Sequence, residues 1–98
     1  MSALTQAEIQ QALSALPGWA LVEGRIEKSY RFAAYADGAA FAFRITLLAE
    51  KTDHHPDTLT IAWKEVRVAY VTHSQGGVTK KDLEAARALD ELYTRFNA

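Results

Sequence analysis

The stretch that decides the fold covers residues 54–73 and reads HHPDTLTIAWKEVRVAYVTH. Its segments 59–61 and 66–71 are rich in the β-branched side chains that suit a pleated strand. Only a few residues separate the two segments, so they predict an antiparallel hairpin that turns near Lys64. The sequence therefore predicts two paired strands immediately after a pair of adjacent histidines.

All three histidines of the chain lie in this stretch. The predicted hairpin pairs residues whose numbers add to about 128, which places His73 close to His55. Pro56 disfavours helical backbone at the residue before it, so His54 and His55 are expected at the end of a preceding helix and not inside it. Imidazole has an ordinary pKa of about 6.5 and exchanges protons near neutral pH. The arrangement therefore predicts a proton-transfer site.

Before the histidines, the pattern predicts a helix, a hairpin and a second helix. Thr5 and Glu8 have the spacing of a capping box for the first helix. Apolar residues alternate on both sides of residues 23–25, which predicts a hairpin that turns there. Asp37 is expected to cap the second helix, which runs into the histidines. The core stripe of that helix is predicted to be Phe41, Ile45 and Leu48.

After the hairpin, Gly76-Gly77 supplies a turn, and Thr79 with Asp82 has the spacing to cap a third helix. The element order is then helix, hairpin, helix, hairpin, helix. This order predicts an α+β fold, a two-layer sandwich in which a four-stranded antiparallel sheet carries three helices on one face. The other face of the sheet needs cover, which a second subunit could supply. Trp63, Tyr70 and alternate strand residues are candidates for that uncovered face, but the pattern does not fix the side on which each lies.

The composition is that of one folded domain, which we assign to residues 1–98. Hydrophobic residues make up 49% of the chain and charged residues 23%. The net charge of −1 gives no field that would attract nucleic acid or an anionic membrane, so neither is an expected partner. The chain has no cysteine and therefore neither disulfides nor thiolate metal sites. Without an apolar leader or a run of about 18 apolar residues, the expected location is the cytoplasm.

Four segments together carry a resemblance to a known family. Residues 50–57 read EKTDHHPD, residues 72–73 read TH, residues 76–82 read GGVTKKD, and residues 16–19 read LPGW. In these segments the chain resembles the pterin-4a-carbinolamine dehydratase family, in the pattern of its bacterial members. Asp57-Thr58 follows the His-His-Pro run, where many animal members have Glu-Trp. The resemblance extends over nearly the whole chain.

The resemblance implies an activity and a site. The activity is that of a hydro-lyase, which dehydrates 4a-hydroxytetrahydropterin to the quinonoid dihydropterin and so recycles the pterin cofactor of aromatic amino-acid hydroxylases. No metal and no organic cofactor is implied, and a homodimer or homotetramer is expected. The implied catalytic residues are His54, His55 and His73. The candidate substrate-binding residues are Glu50, Asp53, Pro56, Val71 and Thr72.

Several alternatives remain beside this interpretation. Glu50 and Asp53 lie close enough to the histidines either to fix an imidazole tautomer or to hydrogen-bond the pterin. A three-histidine zinc site is disfavoured, because adjacent side chains on an extended chain point apart. Gly76-Gly77 lacks the spacing of a phosphate-binding loop. The fold also occurs in protein-binding modules, but a pure scaffold would not need the histidines, so a protein partner is expected only as an additional role.

Overall fold

The computed structural model describes residues 2–96 and has three helices and four strands. The helices are α1 (Gln6–Leu13), α2 (Tyr35–Thr52) and α3 (Lys80–Phe96), and the strands are β1 (Ala20–Val22), β2 (Arg25–Arg31), β3 (Thr58–Ala62) and β4 (Glu65–Tyr70). The strands form one sheet in the order β1-β2-β4-β3, and all neighbours are antiparallel. The predicted α+β architecture is confirmed. Within residues 2–96, no helix is both long and apolar enough to cross a membrane.

Two of the three predicted helix starts are confirmed by their hydrogen bonds. The Thr5 hydroxyl accepts from the Glu8 N–H at 3.1 Å, and the Glu8 carboxylate accepts from the Thr5 N–H at 2.8 Å. At the start of α3, the Asp82 carboxylate accepts from the Thr79 N–H at 2.8 Å. These caps satisfy backbone donors that the first helical turn leaves without partners.

The predicted cap of α2 was wrong. The helix begins three residues earlier than a cap at Asp37 implies, at Tyr35, and its N-cap is Ala34, which makes no side-chain capping bond. Asp37 lies inside the first turn. A carboxylate in this position still interacts favourably with the positive end of the helix dipole, which explains why an acidic residue marks the start of the helix without capping it.

The helices cover one face of the sheet, and the core lies between the two layers. Alternate residues of β4, Val66, Val68 and Tyr70, are buried on that face and pack with Phe41 and Ile45 of α2. Tyr70, a candidate for the uncovered face, therefore lies on the covered face. It shares the parity of Val66 and Val68, and side chains two residues apart in a strand point the same way.

The open face of the sheet is charged. Arg67 and Glu65 form an ion pair at 2.8 Å, and Arg25 lies 3.5 Å from Glu27. An antiparallel sheet tolerates water on one face when that face carries such side chains. The most exposed large apolar side chains lie on α2 and at Trp63 in the turn between β3 and β4.

Asp90 of α3 connects the third helix to the first hairpin. Its carboxylate accepts hydrogen bonds from Trp19 Nε1 at 3.1 Å, Lys28 Nζ at 2.8 Å and the Tyr30 hydroxyl at 2.6 Å. Burial, followed by the bond to Asp90, raises the pKa of Tyr30 far above its ordinary value. Trp19, from the Leu-Pro-Gly-Trp segment, is therefore a structural anchor in this fold.

Candidate active site

The end of α2 directs the two adjacent histidines to different environments. Asp53 adopts a left-handed conformation with φ of 54°, which ends the helix, and the His54 N–H still donates to the Ala49 carbonyl at 3.2 Å. The His54 side chain turns inward and is 14% exposed, whereas His55 is 58% exposed. The placement of both histidines at the helix end follows the prediction.

His54 is held by a buried carboxylate. Its Nε2 lies 2.7 Å from Asp82 Oδ1, and the other oxygen of Asp82 accepts from the Thr72 hydroxyl and the Thr79 N–H, both at 2.8 Å. Asp82 has no exposed surface. Because a carboxylate only accepts hydrogen bonds, Nε2 of His54 carries the hydrogen and Nδ1 carries the lone pair.

Tyr70 forms the wall behind the His54 ring. The two rings are stacked, with centroids 5.7 Å apart and planes inclined by 20°. Burial, followed by the negative charge of Asp82, raises the pKa of the Tyr70 hydroxyl, so this side chain remains a neutral phenol. The stacking contact fixes the plane of the His54 imidazole, and the hydrogen bond to Asp82 fixes the rotation of the ring within that plane.

The other two histidines are paired with different carboxylates. His55 Nε2 lies 2.6 Å from Glu50 Oε2, and His73 Nε2 lies 2.6 Å from Asp57 Oδ1. His73 follows β4 and is 78% exposed. In each of the three pairs, the imidazole uses Nε2 for the carboxylate. No hydrogen bond joins the Nδ1 atom of any of these rings to another group within residues 2–96.

Asp57 has a second strong partner. Its Oδ2 accepts from Arg25 Nη1 at 2.8 Å, while Oδ1 faces His73. The hydrogen bond to His73, followed by the one to Arg25, lowers the pKa of the Asp57 carboxyl. Asp57 is therefore ionised at neutral pH and acts as the acceptor in both bonds.

The lowered pKa of Asp57 gives a testable dependence of stability on pH. A carboxyl group with a depressed folded-state pKa stabilises the fold above its ordinary pKa of about 4, and that contribution is lost as the pH falls through the folded-state value. We expect the stability difference between wild type and Asp57→Asn to be constant at pH 6 and above and to shrink as the pH falls below the ordinary pKa of the carboxyl group. Urea unfolding at a series of pH values measures it, and a difference that does not change between pH 6 and the most acidic pH at which the fold persists would contradict the assignment.

A cavity of about 170 Å³ lies beside His54, between α2 and α3. Leu48, Ala49 and Tyr70 give it an apolar wall, and Lys81 and Glu84 lie at its edge. His54 lines this cavity, but His55 and His73 do not. The structure thus brings one histidine into an enclosed space and leaves the other two on the more open surface around it.

The remaining predicted residues lie around the same helix end. Glu50 bonds His55, in line with the tautomer-fixing alternative, and Asp53 forms the helix end. Pro56 and Val71 are half-buried where β3 begins and β4 ends. The Thr72 hydroxyl donates to Asp82 and lies 2.8 Å from the Thr79 hydroxyl, so its side chain orients the buried carboxylate.

The sequence analysis missed the partners of two histidines. Asp82 was identified only as a helix cap, although it also bonds His54. Asp57 was noted only as a departure from the animal pattern, although it bonds His73. The position of Asp57 directly after His-His-Pro was a signal for this role, whereas nothing local linked Asp82 to His54. Within residues 2–96, no group of three His, Asp or Glu side chains is arranged to hold a metal ion.

The fold places the chain among small α+β proteins with helices on one face of an antiparallel sheet, and the site adds three imidazole–carboxylate pairs. A family model described as pterin 4 alpha carbinolamine dehydratase matches residues 2–92. The chain belongs to this family.

Relatives and solved structures agree with this assignment. A protein named "Putative pterin-4-alpha-carbinolamine dehydratase" from Mycobacterium sp. (strain KMS) is 42% identical over 95 residues, which cover 97% of this chain and 100% of that protein. A protein of the same name from Rhodopseudomonas palustris (strain HaA2) is 41% identical over 95% of this chain and 93% of its own length.

Two solved structures have a similar fold. The transcriptional coactivator/pterin dehydratase from Brucella melitensis has a TM-score of 0.87 and 36% identity, over 94% of this chain and 99% of that one. A pterin dehydratase-like protein described as a RuBisCO assembly factor in the alpha-carboxysome has a TM-score of 0.62 and covers 70% of this chain and 79% of that one. At 22% identity, the second likeness concerns the fold alone.

Proposed function

We propose that this protein is a hydro-lyase that dehydrates 4a-hydroxytetrahydropterin to the quinonoid dihydropterin, with His54, His55 and His73 as its acid and base groups. This reaction recycles the pterin cofactor of aromatic amino-acid hydroxylases. Family membership supports a pterin as the substrate class. The observation that carries the catalytic part is the pairing of every histidine with its own carboxylate through Nε2.

This pairing suits the chemistry of dehydration. Loss of water from the carbinolamine requires a proton for the departing 4a-hydroxyl group and removal of a proton from the ring nitrogen system. A neutral imidazole with its hydrogen on Nε2 offers a lone pair on Nδ1, and a protonated imidazole donates from the same atom. Because the carboxylate holds a hydrogen on Nε2, each ring can take up a proton at Nδ1 as a base and return it from the same atom as an acid.

The substrate-binding part of the proposal assigns Glu50, Asp53, Pro56, Val71 and Thr72 to the pterin. Pro56 and Val71 offer half-buried apolar surface beside the histidines, which suits a flat heterocycle. Glu50 and Asp53 supply carboxylates for the amino group and N3 of the pterin. The hydroxyl of Thr72 is engaged with Asp82 and its backbone N–H donates to the Gly77 carbonyl, so its proposed contribution to substrate binding is to hold the buried carboxylate in place beside the pocket.

The direct test uses the purified chain and chemically generated 4a-hydroxytetrahydropterin. Formation of the quinonoid product is followed by its absorbance, in buffer alone and with increasing protein. We expect a rate that rises in proportion to the protein concentration. A rate no higher than that in buffer would refute the dehydratase proposal.

A second role, as a module that binds protein, has support from helix α2. Phe43 and Leu47 lie one turn apart and are 64% and 53% exposed, and Tyr35 is also exposed on this helix. Large apolar side chains grouped on one exposed helix are typical of an interaction surface. We propose that α2 is the contact through which this chain forms a homodimer or homotetramer.

Serine substitution at both Phe43 and Leu47 is expected to reduce the assembly to a monomer, because it removes the apolar area that drives association. Light scattering coupled to size-exclusion chromatography measures the mass. The matched control is Trp63→Ser, which removes a large exposed apolar side chain from the β3–β4 turn. A wild-type protein that elutes as a monomer, or a double variant with unchanged mass, would contradict this contact.

A further inference from the structure

Arg25, Asp57 and His73 form a chain of hydrogen bonds that joins three separate parts of the fold. Arg25 begins β2, Asp57 precedes β3, and His73 follows β4. Arg25 Nη1 donates to Asp57 Oδ2 at 2.8 Å, and Asp57 Oδ1 lies 2.6 Å from His73 Nε2. The Asp57 N–H also donates to the Ala69 carbonyl at 2.7 Å, which fixes the carboxylate to the adjacent strand.

We propose that Asp57 is a positioning residue, clamped by Arg25, that holds His73 in the Nε2–H tautomer with Nδ1 free for the substrate. This role rests on the proposed dehydratase function for its catalytic consequence. The carboxylate has two acceptor oxygens and faces two donors, one from Arg25 and one from His73. Because an exposed imidazole such as His73 would otherwise rotate and exchange tautomers, the clamp is what gives it a defined orientation.

The direction of the two bonds leads to a specific expectation for Asp57→Asn. An asparagine side chain has one acceptor oxygen, and the Arg25 guanidinium can only donate, so it takes that oxygen. The amide NH₂ then faces His73, whose Nε2 must accept, and the hydrogen moves to Nδ1. The variant thus inverts the tautomer of His73 and removes the lone pair from Nδ1, as a similar change does in other carboxylate–histidine pairs.

A double variant makes the expectation sharper. In Arg25→Met with Asp57→Asn, the guanidinium is gone, so the asparagine oxygen is free to turn to His73. The Nε2–H tautomer should then return. If the two substitutions acted independently, Arg25→Met would add its own defect to that of Asp57→Asn. The proposal instead expects Arg25→Met to reverse part of the effect of Asp57→Asn.

The experiment measures the tautomer of each imidazole by long-range ¹H–¹⁵N NMR and the steady-state kinetics of the same proteins. The three histidine signals are assigned with His54→Gln and His55→Gln variants. We expect Asp57→Asn to shift His73 to the Nδ1–H form and to lower kcat by about 10²-fold with KM unchanged. The double variant should recover the tautomer and most of the rate.

The matched control is Arg67→Met, which breaks an ion pair of the same 2.8 Å length on the same open face but touches no histidine. Arg67→Met should have the same His73 tautomer and the same kcat as the wild type. An unchanged Nε2–H tautomer in Asp57→Asn overturns the positioning role even if the enzyme is active. Conversely, a tautomer switch in Asp57→Asn, together with a wild-type protein that shows no turnover, refutes the dehydratase proposal and leaves the clamp established.

Discussion

Replacement of His54 by glutamine is expected to lower kcat by about 10²- to 10⁴-fold while the protein remains folded. Glutamine places an amide nitrogen close to the position of the imidazole Nε2, so it can still donate to Asp82. It cannot bind or release a proton near neutral pH. The substitution therefore separates the proton-transfer role of His54 from its structural bond.

Steady-state kinetics and urea unfolding of the same variant test this expectation. His54→Ala serves as the comparison, because it removes both the proton transfer and the bond to buried Asp82. Both variants should lose activity, but only the alanine variant should lose stability, by about 1–2 kcal/mol for the acceptor left unpaired. If a variant with alanine at His54, His55 and His73 kept full activity, the site assignment would be wrong.

Local patterns were sufficient to predict most of the architecture. The capping boxes, the two hairpins and the helix that ends at the histidines depend on residues within a few positions of each other, and all are present in the structure. The face of Tyr70 was left open, although the alternation of Val66, Val68 and Tyr70 already indicates that these three side chains share a face. Asp37 misled because acidic residues favour the first turn as well as the cap.

Register was the first feature that local patterns could not fix. The turn is formed by Trp63 and Lys64, between paired Ala62 and Glu65, so the observed pairing differs by one residue from the predicted turn centred near Lys64. A shift of one residue exchanges the two faces of a strand. The predicted proximity of His73 and His55 depended on this register and stays a prediction.

The partners of the histidines required the assembled fold. Asp82 lies 28 residues from His54, and Asp57 lies 16 residues from His73. Each pair forms only when α3 or β4 packs into place, and no spacing rule connects them. The third pair, Glu50 with His55, spans the end of one helix. Because its members are only five residues apart, the sequence already suggested Glu50 as a carboxylate that could fix an imidazole tautomer.

Asp82 is expected to show the largest difference between two substitutions at one position. Asp82→Ala leaves the Thr72 hydroxyl, the Thr79 N–H and His54 Nε2 without their buried acceptor and removes the cap of α3. We expect it to lower the free energy of unfolding by about 3–5 kcal/mol. Asp82→Asn keeps an oxygen for Thr72 and Thr79, so its loss should be about 1 kcal/mol.

Asp82→Asn, the more stable of the two variants, is the one that tests catalysis. In Asp82→Asn, the amide NH₂ faces His54, whose hydrogen moves from Nε2 to Nδ1, and the lone pair that faces the substrate is lost. We therefore expect a folded protein with kcat lowered by about 10²- to 10⁴-fold. The matched control is Asp90→Asn, which alters another carboxylate of α3 that accepts from three side chains but contacts no histidine.

Urea unfolding, kcat and the His54 tautomer, measured on all three variants, separate stability from catalysis. Asp90→Asn should lose stability and keep kcat, because its carboxylate joins α3 to the first hairpin and not to the site. If Asp82→Asn kept the wild-type rate, the buried carboxylate would be a helix cap only, and His54 would not depend on it for its proton. If the rate of Asp82→Asn fell while His54 kept its Nε2–H tautomer, a tautomer switch would not explain the loss, and the role proposed for Asp82 would be wrong.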